Sequence, residues 1–70
     1  MKEYISNTVN TFRTKKGMTQ EELAEKVGVS RQTVISIERG NYTPSVLLAL
    51  KIASVFGIGV EEIFKISHEK

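Results

Sequence analysis

Between Thr19 and Gly40 the chain carries two complete sets of helix start and stop signals, one directly after the other. Thr19-Gln20-Glu21-Glu22 is a capping box: the Thr19 hydroxyl takes an orphan N–H and the Glu22 carboxylate returns to the Thr19 backbone. Leu23, Ala24 and Val27 form the inward stripe, and Gly28 ends the helix in the left-handed region that glycine enters cheaply. Two residues later Ser30 offers a second N-cap, and Arg31 to Arg39 read as a second short helix closed by Gly40. On a wheel of about 100° per residue, Val34 and Ile37 point one way and Gln32, Ser36 and Arg39 roughly the other, with Arg31, Thr33 and Ile35 on the flanks.

The rest of the chain supplies helices to pack around this pair. Ile5, Val9 and Phe12 share one helical face, which predicts a first helix over Lys2 to Lys16, stopped at Gly17. Thr43 as N-cap with Pro44 at the first helical position opens a helix running to Phe56, apolar on most sides and so the most buried. Gly57-Ile58-Gly59 breaks it, and Val60 to Phe64 makes a last short helix. Residues 65–70 fit either a frayed tail or a short strand. The expected fold is all-α, a compact five-helix bundle, with one domain over 1–66 and a tail over 67–70.

Composition excludes several classes of function. With 70 residues there is room for one small core, and without Cys there is no disulfide and no Cys-based zinc site. His68 is the only His and Asp is absent, so no metal site or acid–base pair can be assembled around it. No glycine-rich phosphate loop or Ser/His/acid set is present, and no enzymatic activity, metal, cofactor or small-molecule ligand is expected. The first residues lack the apolar core of a signal peptide, and the longest apolar run falls far short of the about 20 residues of a membrane span. A cytoplasmic protein without a membrane partner is expected.

The paired helices point to a nucleic acid. Two short helices joined by a tight glycine turn are a helix-turn-helix, whose second helix enters the DNA major groove. A helix of about 10–12 Å diameter matches a groove about 12 Å wide. The outward residues Arg31, Gln32, Thr33, Ser36 and Arg39 are hydrogen-bonding types. Arginine can bond a guanine edge in bidentate fashion, glutamine an adenine edge, and Thr and Ser offer hydroxyls.

The stretch TQEELAEKVGVSRQTVISIERG, residues 19–40, resembles the Cro/Xre helix-turn-helix family, relatives of the lambdoid phage repressors. The resemblance continues through Asn41-Tyr42-Thr43-Pro44-Ser45 and into Val60-Glu61-Glu62-Ile63-Phe64. It implies a lambda-repressor-like domain binding double-stranded DNA, with the helix-turn-helix unit at about 19–39. It also implies residue roles. Gln20 would contact a phosphate through its N–H, and a base through its side chain. Ser30, Arg31, Gln32 and Thr33 would open the recognition helix at the base edges, with Ser36 one turn on. Arg39 and the Asn41-Tyr42 loop would grip the backbone beside the groove. Arg13 and Glu38 would form an internal ion pair. The sequence departs from the family pattern at Ile35, Leu47 and Gly59, the first two adding apolar surface.

A small transcriptional regulator follows, a repressor by preference, because a bound domain with little extra surface acts by occlusion. One recognition helix reads only a few base pairs, so a homodimer on a palindromic operator is expected, its two helices about 34–36 Å apart. Apolar residues crowd the C-terminal third, which places the dimer contact at Ile58, Ile63, Phe64 and Ile66, with Leu47 at its edge. Two rivals share the fold: an antitoxin or controller whose main partner is another protein, and a pure protein-interaction module. The net charge of +2 divides unevenly: residues 1–40 hold seven cations against five Glu, and residues 41–70 balance at three each. The positive excess accompanies the helices expected to face DNA.

Overall fold

The structure, a computed structural model, describes residues 2–69. Seven elements follow in order: β1 (Glu3–Asn7), α1 (Val9–Lys15), α2 (Gln20–Val27), α3 (Arg31–Glu38), α4 (Val46–Phe56), α5 (Val60–Ile63) and β2 (Phe64–His68). The inward stripes of the helices meet in one core. Leu23, Ala24 and Val27 of α2 close on Val34 and Ile37 of α3, and Leu48, Ile52, Ala53 and Phe56 of α4 join them, with Val9 and Ile63 brought together by the bond from Thr8 N–H to Ile63 O. Phe12 stacks on Phe56 with ring centroids 6.0 Å apart.

The fold has the five expected helices but is not all-α. β1 and β2 pair antiparallel, with Glu3 opposite His68, Ile5 opposite Ile66 and Asn7 opposite Phe64. The N-terminal helix therefore begins at Val9 rather than Lys2. The spacing of Ile5 and Val9 fits a helix, but Tyr4 and Ile5 suit a strand, and Ser6-Asn7-Thr8 are residues that compete with helical backbone bonding. The Asn7 side-chain oxygen accepts from Val9 N–H at 3.1 Å, which starts α1 there. Of the two options for the C-terminal segment, the strand is realised, and it includes Ser67 and His68, expected in the tail. Met1 of the expected domain and Lys70 of the expected tail lie outside the described residues.

Two further boundaries shift. Ser45, not Thr43, caps α4, its hydroxyl accepting from Leu48 N–H at 3.1 Å, and Pro44 stays outside the helix. α5 ends at Ile63, and Phe64 passes directly into β2.

The expected dimer residues separate in the fold. Ile63 is 1% exposed and belongs to the core, so it has no surface to offer a partner. Ile58 and Phe64 are half-buried against that core, and only Ile66 stands clear of it. The larger exposed apolar surface is on α4, where Val46, Leu47 and Leu50 are 75%, 64% and 51% exposed. This helix is therefore not buried on most sides as expected: one that is apolar all round leaves part of itself uncovered when only one side has neighbours.

Candidate nucleic-acid interface

The two capping signals set the ends of α2 and α3. At α2 the box is complete: Glu22 N–H donates to Thr19 Oγ1 at 3.0 Å, and Thr19 N–H donates to Glu22 Oε1 at 2.8 Å. The bond that the carboxylate accepts from Thr19 N–H, with the Thr19 hydroxyl beside it, holds the Glu22 carboxyl below its usual range, against desolvation and with help from Lys26. Gly28, with φ at 78°, reverses the chain, and the N–H groups of Gly28 and Val29 both donate to Ala24 O. Ser30 then caps α3, its hydroxyl accepting from Thr33 N–H at 3.2 Å. The Ser30 and Thr33 hydroxyls also lie 3.0 Å apart, in hydrogen-bond contact.

With α3 anchored by Val34 and Ile37, its other face is open. Arg31, Gln32 and Arg39 are exposed, and Thr33, Ile35 and Ser36 are half-buried beside them. Two shallow grooves flank this ridge. One, of about 330 Å³, is lined by Ser30, Gln32, Thr33, Ser36, Asn41 and Tyr42. The other, of about 360 Å³, is lined by Asn10, Gln20, Arg31, Ile35, Glu38 and Arg39. Asn41 N–H donates to Ser36 O at 2.9 Å, which folds the Asn41-Tyr42 loop back along α3. All nine residues expected at the DNA surface thus line one or other of these grooves.

Beneath the second groove lies an ion pair. Arg13 Nε donates to Glu38 Oε2 at 2.6 Å, and Arg13 Nη2 to Oε1 at 3.2 Å. Arg13 Nη1 donates to Met18 O at 2.7 Å, tying α1 to the loop before α2. Glu38 Oε1 also accepts from Asn10 Nδ2 at 3.2 Å and from Gln20 Nε2 at 3.1 Å. Burial pushes the Glu38 carboxyl up, but bonds from Arg13, Gln20 and Asn10, and the Arg13 charge, outweigh it and hold the pKa below the usual carboxylate range.

Two residues of this framework escape a reading of the sequence. Asn10 joins the Glu38 cluster and lines the second groove. Asn7 donates from Nδ2 to Ile37 O at 2.8 Å, clipping the end of β1 to the last turn of α3. Both are ordinary polar residues in a segment read as one continuous helix, and their partners lie 28 and 30 residues away. Asn7 carried one usable signal, its preference for the residue positions just before a helix. Among the described residues no helix is long and apolar enough to cross a membrane.

The chain matches a family model described as helix-turn-helix over residues 10–63. It is 52% identical over 60 residues to an uncharacterized HTH-type transcriptional regulator of Methanocaldococcus jannaschii, covering 86% of this chain and 91% of that protein. Among solved structures it is similar to the restriction-modification controller protein C.AhdI of Aeromonas hydrophila, with a TM-score of 0.72, 37% identity, and coverage of 77% of this chain and 82% of that one. It is also similar to SinR of Bacillus subtilis, a master regulator for biofilm formation solved in complex with DNA, with a TM-score of 0.70, 35% identity, and coverage of 76% and 86%. All three are regulators or controllers. In the matched segment and in its relatives alike, the chain belongs to the Cro/Xre-type helix-turn-helix family of DNA-binding transcriptional regulators.

Proposed function

We propose that this protein is a repressor that binds a palindromic operator as a homodimer, with α3 in the major groove. The observation that carries the reading is the outward ridge of α3, where exposed Arg31 and Gln32 and half-buried Ser36 line the two flanking grooves. Arg31, Gln32, Thr33 and Ser36 meet base edges, and Arg39, Asn41 and Tyr42 hold the phosphates on either side. Ser30 is occupied first as the helix cap and reaches DNA only at the groove margin. The first backbone N–H groups of α2, Gln20 among them, have no intrahelical acceptor and suit a phosphate oxygen.

A second copy covers the exposed side of α4. Val46, Leu47 and Leu50 form the apolar surface best placed for this, and Ile66 on β2 extends apolar exposure elsewhere. Doubling the recognition helix supplies the affinity and sequence information that one helix lacks. Selection from a random pool of duplex DNA tests the reading directly: a palindrome with two half-sites is expected, and no enrichment would refute it. The similarity to the restriction-modification controller protein C.AhdI also fits a controller role on the same DNA-facing surface. A second protein as main partner is a separate reading, and co-purification of such a protein in fixed ratio would support it.

A further inference from the structure

Gln20 enters the DNA-facing groove with its side-chain amide already committed on one side. Its Nε2 donates to Glu38 Oε1 at 3.1 Å. The direction of that bond is chemically forced, because an ionised carboxylate can only accept, so the nitrogen arm of the amide must face it. Glu38 stays ionised through neutral pH, since the bonds it accepts hold its acidity up despite its burial. The planar amide therefore keeps its other arm, the carbonyl oxygen Oε1, turned away from the carboxylate. Glu38 cannot move to relax this arrangement, because Arg13 holds both of its oxygens and Asn10 holds one of them. Gln20 lines the groove beside Arg31 and also the adjoining hollow formed by Arg13, Thr19, Glu21 and Arg31.

We propose that Glu38, with Asn10 and Arg13 behind it, is a positioning residue for DNA reading: it locks the Gln20 amide so that the side chain presents an acceptor to the major groove. A fixed acceptor distinguishes bases. Adenine N6 and cytosine N4 carry the donors of the major groove, whereas guanine O6 and thymine O4 are acceptors that would face the Gln20 oxygen with like polarity. One position in each half-site should accordingly prefer adenine or cytosine on the strand that Gln20 faces. A freely rotating glutamine, able to turn either arm outward, would show no such preference. The inference rests on the DNA-binding reading above and adds a residue that need not touch DNA yet sets which base is chosen.

The test compares selected duplex pools for the full-length wild type, Gln20→Ala and Glu38→Gln, with thermal unfolding of each variant by circular dichroism. Glu38→Gln keeps the shape of the side chain but gives it an N–H donor, so the Gln20 amide can reverse. The expected result is an adenine or cytosine preference of about tenfold at one position in the wild type. Gln20→Ala abolishes it, and Glu38→Gln weakens it or turns it toward guanine or thymine. The proposal is overturned if Gln20→Ala lowers affinity equally for all sequences, which would make Gln20 a phosphate contact. It is also overturned if a folded Glu38→Gln selects the wild-type operator unchanged. Should Glu38→Gln fail to fold, the wild-type preference and its loss in Gln20→Ala decide: guanine or thymine at that position sinks the proposal, adenine or cytosine sustains it. If the wild type enriches no DNA at all, the DNA-binding reading itself fails, an outcome distinct from a bound operator with an unchanged base.

Discussion

At the residue scale the Glu38 cluster is the costliest place to intervene. Arg13 is 9% exposed, and its guanidinium is neutralised by Glu38. Glu38→Ala would leave that cation buried without its partner, and we expect a loss of about 3–5 kcal/mol in urea denaturation. Replacing both members by well-packed apolar residues, Arg13→Met with Glu38→Leu, should recover much of it. The same carboxyl makes stability depend on acidity. Its pKa is lower in the folded chain than the about 4.3 of a free glutamate, so the fold favours the ionised form. That contribution is complete above the ordinary value and is lost as pH falls through the folded one. Denaturation midpoints should therefore hold from pH 7 to 5 and decline below about 4.3, less steeply in Glu38→Gln. On the exposed side of α3 the expectation is opposite in kind: Arg31→Ala should leave stability within about 0.5 kcal/mol. It should weaken operator binding by about 1–3 kcal/mol and relax the preference at one base pair.

At the scale of elements the caps carry the argument. Ser30→Ala removes the hydroxyl that holds Thr33 N–H and should cost about 1 kcal/mol in thermal or chemical unfolding. Gly28→Ala meets no atom within 4 Å, so its cost of about 1–2 kcal/mol would come from the left-handed backbone alone. Helices α2 and α3 were legible because each of their signals is local: a cap, a stripe and a stop within a dozen residues. The α3 part of the candidate site is legible for the same reason, since Gln32, Ser36 and Arg39 share one face by period alone, with Arg31 and Thr33 on its flanks. β1 was not, because a strand in a two-stranded ribbon is defined by its partner. Ile5, Val9 and Phe12 satisfy the helical spacing, and nothing near them announces Phe64 to His68 at the other end of the chain. Ser45 displaced Thr43 as a cap because two adequate cap residues stood on either side of one proline. Counting apolar residues puts Ile63 in the dimer contact, whereas α5 turns it into the core.

At the scale of the whole molecule, the proposed dimer makes its own expectation. Leu47→Glu would set a charge in the exposed apolar surface of α4 without disturbing the core, since Leu47 is 64% exposed. Sedimentation should then report a monomer where the wild type sediments as a dimer, and operator affinity should fall although the DNA-facing residues are intact. Binding by the wild type should weaken with salt at a slope of about −0.9 per phosphate neutralised. The terminal ribbon has a consequence of another kind, in time rather than in place. Ser6 and Ser67, 2.9 Å apart, are 61 residues apart along the chain, so the ribbon closes the longest loop available to it. The helices draw on nearer contacts and can assemble first, leaving the ribbon to zip last and to open first. Amide exchange in β1 and β2 should accordingly outpace that in α2 and α4. Each opening would also release Asn7 from Ile37 O, so the last contacts to form end at the last turn of the recognition helix.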